Sequence, residues 1–265
     1  MKRGGTRGIV TRAIESPKWL IIGGAPRSGT TLFYNILKKN PYLALKNERN
    51  LFEQALRLGE KAAAEDYTRL LTPTQQRRVR YLGEKRPEYF EFPLERCFPS
   101  AEVSILHISR RPRDAVGSML ARTNRARHGE DDRWSPFFTA ADALDAWLRA
   151  WQFAVEQAQN PRFLHLKYED LIDKPDEALK VIEGWLSIDP QPTNTEMIEK
   201  PAAYPALAEL GLQNIERLNA IDKAWSSPLR EIQALHGAPT PARFGGLRRL
   251  KRRLLWWYSV GRKRV

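Results

Sequence analysis

Residues 18–37 read "KWLIIGGAPRSGTTLFYNIL", and this stretch restricts the fold more than any other. The apolar run 19–22 suits a strand buried on both faces. Leu32, Phe33, Ile36 and Leu37 fall on one side of a 3.6-residue period, with Asn35, Lys38 and Lys39 opposite, so the spacing predicts a helix over 31–39. A strand that passes through a tight glycine turn into a helix is the repeating unit of an α/β protein with a parallel sheet. In the pattern G-x-x-x-x-G-K-[ST], Gly24 and Gly29 take the glycine positions and Thr31 the hydroxyl position. Thr30 stands in the lysine slot, and Arg27 precedes it within the turn.

Backbone N–H groups of such a turn and the positive end of the following helix bind a phosphate whatever occupies the lysine slot. Ser28, Thr30 and Thr31 add hydroxyl donors. What the missing lysine removes is the cation that reaches the β- and γ-phosphates of a nucleoside triphosphate. The apolar run 103–108 ends in "SRRPRD", a cationic corner where a triphosphate enzyme would place an acid for Mg²⁺. A donor with neither γ-phosphate nor need of Mg²⁺ fits this loop better. The corner itself forms a second anion pocket, at the carboxyl end of the sheet where α/β proteins bind ligands.

Further strands are expected at 43–46, 103–108 and 163–167, and further helices from Pro112, over 140–159 and over 175–186. The stretch 122–135, "RTNRARHGEDDRWS", has no period and reads as a polar loop or lid. Pro190, Pro192, Pro201, Pro205 and Pro228 break any long element in residues 187–242. The expected architecture is three-layer α/β/α around a mostly parallel central sheet, in one domain over 18–242. An N-terminal extension (1–17) and a basic tail (243–265) flank it.

The formal charge of +13 invites a nucleic-acid reading, but its distribution argues against one. Nine basic and no acidic residues lie in 243–265, leaving about +4 for the rest, so basicity belongs mainly to the tail. A single cysteine, Cys97, excludes an internal disulfide and a cysteine metal cluster, and the four histidines show no ligand spacing. His107 and His165 fall inside strands as core residues, and His128 lies in the polar stretch, within reach of an acceptor. No apolar run reaches the roughly 18 residues of a membrane span, and residues 1–18 lack the apolar stretch of a secretory signal. A cytoplasmic location is the expectation.

Several stretches together resemble one family. "GAPRSGTT" is similar to the loop of sulfotransferases that use 3′-phosphoadenosine 5′-phosphosulfate (PAPS). The resemblance implies a P-loop-like sulfotransferase fold, with Arg27, Ser28, Gly29, Thr30 and Thr31 on the 5′-phosphate and Arg27 also facing the leaving oxygens. "SRRPRDAVGSM" resembles the family's 3′-phosphate motif, an Arg followed eight residues later by Ser, matched by Arg110 and Ser118. Arg111 stands where the family often has an acid. "LKNERNLFEQ" is similar to the "KExHFF" stretch of carbohydrate-type members, and the match implies that Glu48 is the catalytic base. Asn47 and Asn50 depart from that motif. Lys46 could restore the charge missing at 47, although strand alternation aims it to the opposite face. "GEKRPEYF" matches "EKxPxYF", which implies that Lys85 points toward the sulfuryl group or the acceptor. "LKYEDL" resembles a late strand and corner, with Tyr168, Glu169 and Asp170 architectural.

The resemblance covers roughly 18–186 and implies transfer from PAPS to a hydroxyl or amine of a glycan or glycolipid, with no metal required. A P-loop nucleotide kinase and a non-catalytic nucleotide-binding protein at a membrane are the rival readings. The tail places Leu247, Leu250, Leu254 and Trp257 at helical spacing among arginines, a pattern suited to an anionic membrane surface. Lys223, near Trp225, is the candidate for covering the 3′-phosphate.

Overall fold

The computed structural model describes residues 18–99, 102–131, 139–192, 212–223 and 225. The predicted extension 1–17 and the tail 243–265 lie outside the described residues. β1 (Lys18–Gly24) leads through the glycine loop to α1 (Thr30–Leu37), and β2 (Leu43–Asn47) follows. Next come α2 (Leu51–Leu58), α3 (Glu60–Arg69) and α4 (Pro73–Arg78), then β3 (Tyr81–Lys85) and the short α5 (Leu94–Cys97). β4 (Val103–Ser109) runs into α6 (Pro112–Arg127), and α7 (Ala140–Glu156) leads to β5 (Phe163–Lys167). α8 (Tyr168–Asp173), α9 (Pro175–Leu186) and α10 (Leu212–Lys223) complete the described chain.

The five strands form one sheet in the order β2-β3-β1-β4-β5, every neighbouring pair parallel. Alternation along β1 divides the core between the two faces. Leu20 and Ile22 point with Leu106, Ile108 and Leu166 toward α1, α8 and α9. Trp19 and Ile21 point with Ile105 and Leu82 toward α2, α3 and α5. A third cluster joins α6, α7 and α10 around Trp147, Trp151 and Trp225. Helices on both faces of a parallel sheet make the expected three layers.

Two expectations shift. Residues 122–127 are helical, continuing α6, because Leu120 and Thr123 are buried and keep that helix attached to the core; residues 132–135 lie outside the described part. His128 accordingly closes α6 rather than sitting in a loop, its Nδ1 lying 2.8 Å from the carbonyl of Asn124. Trp225 is buried against Trp147 and Trp151, so it belongs to the core.

This strand order places a switch point between β1 and β4. The chain leaves β1 toward β2 on one side of the sheet and leaves β4 toward β5 on the other. A crevice opens between the carboxyl ends of the two strands, where open parallel sheets bind ligands.

Candidate active site

The glycine loop closes on itself by a bond from Ser28 N–H to the Ala25 carbonyl at 3.2 Å. Arg27 is left-handed with φ 67°, and Gly29 has φ 91°. A Cβ on Gly29 would stand 2.2 Å from the Tyr168 ring, so the loop folds directly onto that aromatic. A Cβ on Gly24 would meet the Ile108 carbonyl at 2.0 Å, because β1 and β4 run so close. No side chain caps the N-terminus of α1. Its first amides therefore remain suited to an anion. The Ser28 hydroxyl is fully buried without a hydrogen-bond partner, and Thr30 is buried beside it. A phosphate oxygen would satisfy a donor held in this way.

At the end of β4, Arg110 is buried and fixed from two sides. Its guanidinium lies over the Tyr168 ring at 4.8 Å and donates to the Arg27 carbonyl at 3.4 Å. Its own carbonyl accepts the Trp147 indole N–H at 3.0 Å. Arg27 Nε donates to the Ser118 hydroxyl at 3.0 Å, joining the loop after β1 to α6. Arg27, Arg110 and Ser118 thus form one group across the switch point. Glu169 accepts the Arg111 amide at 2.8 Å and holds the corner, while burial raises its carboxyl. The Arg111 side chain is exposed. Arg113 turns outward to Asn219 and Asp222, tying α10 to α6.

A second group forms at the end of β3. Lys85 is only 4% exposed, and its ammonium contacts both the Glu48 carboxylate and, at 3.4 Å, the Thr31 hydroxyl. Glu48 N–H donates to the Lys85 carbonyl at 3.1 Å, and Glu48 itself is left-handed with φ 51°. A cleft of about 540 Å³ borders Glu48, lined also by Tyr34, Asn35, Lys46 and Arg49. Lys46 does not join the Glu48–Lys85 group. Its ammonium sits 3.7 Å from the Tyr67 ring centroid on the other face of the sheet, where burial lowers its pKa. The charge missing at Asn47 is therefore not restored from position 46.

Two residues stand in strings that the sequence singled out, but their contacts in the site had no signal there. Tyr168 covers the glycine loop and stacks on Arg110, and the buried Glu84 accepts backbone amides at the start of α2. Of the strand histidines, His107 on β4 is a core residue and His165 on β5 is partly buried. His107 Nδ1 lies 2.9 Å from the Tyr89 hydroxyl, and His165 Nε2 lies 2.5 Å from the Ser109 hydroxyl. Burial holds His107 well below its ordinary pKa and takes His165 down to about 4.

A parallel α/β sheet with a glycine loop at its switch point, a second arginine corner beside it and a carboxylate–ammonium pair is the arrangement of the P-loop-like α/β class. The model of the sulfotransferase family matches residues 50–192, just over half of the chain, and the chain belongs to that family. The match takes in Lys85, Arg110 and Ser118 and begins two residues beyond Glu48. No curated relative matches the chain. Among solved structures it is similar to a sulfotransferase from Alicyclobacillus acidocaldarius, with 15% identity over 70% of this chain and 87% of that one and a TM-score of 0.47. It is also similar to the sulfotransferase domain of the Synechococcus PCC 7002 olefin synthase, with 18% identity over 87% and 98% and a TM-score of 0.47. A mouse sulfotransferase complexed with PAP shares 17% identity over 66% of this chain and 60% of that one, with a TM-score of 0.44. Among the described residues no helix is long and apolar enough to cross a membrane.

Proposed function

We propose that this chain transfers the sulfuryl group of PAPS to a hydroxyl or amine of a glycan or glycolipid, with Glu48 as the base. One observation carries the reading. The Arg27–Ser118–Arg110 group and the Glu48–Lys85 pair both touch the glycine loop and the first turn of α1, the first through Arg27 and the second through Thr31. The first group offers cations and hydroxyls to a nucleotide with phosphates at both ends. The second offers a carboxylate to an incoming O–H or N–H.

In this reading the loop amides, Ser28, Thr30 and Thr31 hold the 5′-phosphate, and Arg110 with Ser118 holds the 3′-phosphate. The acceptor atom forms its bond to sulfur as the bridging S–O bond to the 5′-phosphate breaks. Its proton passes to Glu48, a general-base role worth on the order of 10²- to 10⁴-fold. Negative charge growing on the leaving oxygen is opposed by Arg27 and Lys85, whose charges are fixed in place before the reaction.

Calorimetry tests the donor. Adenosine 3′,5′-bisphosphate should bind without Mg²⁺, and Arg110→Ala should weaken that binding roughly a hundredfold. Preference for ATP with Mg²⁺ would overturn the reading in favour of a nucleotide kinase. Labelled PAPS incubated with cell-envelope extracts tests the acceptor, and label in a glycan-free product would remove the carbohydrate assignment. The basic tail is assigned to an anionic membrane surface. Co-sedimentation with anionic vesicles should fall when the chain is ended at Thr240, and equal partitioning would remove that assignment.

A further inference from the structure

β3 ends in two charged residues that face opposite sides of the sheet, and the chemistry above uses only Lys85. Glu84 is fully buried. Its Oε1 accepts the Asn50 amide at 3.1 Å, and its Oε2 accepts the Leu51 amide at 2.8 Å. A carboxylate is costly to bury, so its presence at a core strand position calls for a role that an apolar side chain could not fill. The segment that it holds is the one that carries Glu48. Glu48 and Asn50 are both left-handed, at φ 51° and 62°; asparagine enters that region readily, but a glutamate keeps it only when its surroundings enforce it. Enforcement comes from both faces of β3. Lys85 binds Glu48 through its carbonyl and its ammonium, and Glu84 binds the next two amides that follow Arg49.

We propose that Glu84 is a positioning residue for sulfuryl transfer: its buried carboxylate, by gripping the amides of Asn50 and Leu51, fixes the left-handed turn that presents Glu48 to Lys85 and to the acceptor. This inference rests on the reading of Glu48 as the base. Two accepting oxygens are needed for two amides. Glutamine supplies one and turns its NH₂ toward the other donor; a protonated carboxyl has a similar defect. The titratable and charged groups around Glu84 are Lys46 on β2, Tyr67 on α3, Glu53 on α2 and Arg86 after β3. Burial raises the Glu84 carboxyl to about 7, against Arg86 and the amide bonds, which favour its charge. The grip is therefore complete above neutral pH and loosens as pH falls through about 7.

The test needs no identified acceptor, because water can take the sulfuryl group. Water oxygen bonds to sulfur, the bridging S–O bond breaks, sulfate and adenosine 3′,5′-bisphosphate leave, and the released proton passes through Glu48 to solvent. With the full chain at pH 8, Glu84→Gln should slow this release at least tenfold while calorimetry finds the bisphosphate affinity unchanged. In a Glu48→Ala background, where only a residual rate remains, adding Glu84→Gln should change that rate less than twofold. The wild-type acid limb near pH 7 should be absent from Glu84→Gln. Equal losses in both backgrounds, or an undiminished rate in Glu84→Gln, would overturn the role of Glu84 and leave the base in place. Full activity in Glu48→Ala would overturn the base itself and this inference with it. A measurement on the wild-type chain does not depend on any variant folding. Hydrogen exchange at Asn50 and Leu51, corrected for intrinsic rates, should accelerate several-fold from pH 8 to pH 6, and unchanged protection there would also overturn the proposal.

Discussion

Arg110 and Gly29 meet on the same tyrosine, one through a guanidinium 4.8 Å above the Tyr168 ring and the other through the absence of a Cβ. Their substitutions should therefore separate charge from shape. Arg110→Lys keeps the charge but loses the planar stack and the forked donors. We expect its affinity for adenosine 3′,5′-bisphosphate to fall about tenfold, against roughly a hundredfold for Arg110→Ala, since a hydrogen bond to a charged group is worth about 1.5–3 kcal/mol. Isothermal titration of the two variants checks the ratio, and equal losses would show that the charge without the planar fork contributes nothing. Gly29→Ala meets two penalties at once, the positive φ of 91° and a ring atom at 2.2 Å. Denaturant unfolding should show a loss of about 2 kcal/mol or more, with bisphosphate binding weakened in parallel as the loop shifts. Unaltered stability would mean that Tyr168 can move aside freely.

Helix α7 sets the Trp147 indole against the Arg110 carbonyl, so an element remote from the loop helps to hold the second corner. Its start is a reciprocal cap. Thr139 Oγ1 accepts the Asp142 amide at 3.2 Å, and Asp142 accepts the Thr139 amide at 2.9 Å. Thr139→Ala should cost about 1 kcal/mol in urea unfolding and leave bisphosphate affinity unchanged, since the buried tryptophans still seat the helix. Loss of affinity without loss of stability would reverse that ordering. Elements of this kind were legible where their periodicity was strong: β1, β2, β4, β5 and α9 all fall within a residue or two of their expected bounds. β3 was not, because "YLGEK" carries two charges where a strand buried along its whole length is ordinarily apolar. Residues 122–127 carry too few apolar side chains to reveal a helical period, although the helix continues through them. The site itself divides in the same way. The glycine loop, Arg110, Ser118, Glu48 and Lys85 stand in recognisable strings, whereas Tyr168 over Gly29 and Glu84 under α2 depend on strand order, which no local pattern encodes.

The whole molecule carries buried titratable groups of opposite sense, and their opposition governs how stability follows pH. His165 is lowered from 6.5 to about 4 by burial, so between those values the unfolded chain binds a proton that the folded chain does not. Its contribution is present above pH 6.5 and is lost on acidification toward pH 4. Glu84 is raised from 4.5 to about 7 by burial, so between those values the folded chain binds the extra proton. Its contribution has the reverse sign, favouring the folded state below pH 4.5 and losing that advantage as pH rises through 7. Across pH 5 to 7 the two slopes largely cancel, each being at most about 1.4 kcal/mol per pH unit. Single variants should expose them. Relative to wild type, His165→Gln should become progressively more stable as pH falls from 7 to 5. Glu84→Gln should become progressively more stable as pH rises over the same interval. Urea unfolding at closely spaced pH values reads both differences, and parallel curves for a variant and wild type would show that the group in question is not shifted by burial. The balance also separates activity from stability. Acidification from pH 8 to 6 should release the Glu84 grip on the Glu48 turn with little change in global unfolding, so a fall in rate there reflects the turn and not the loss of the fold.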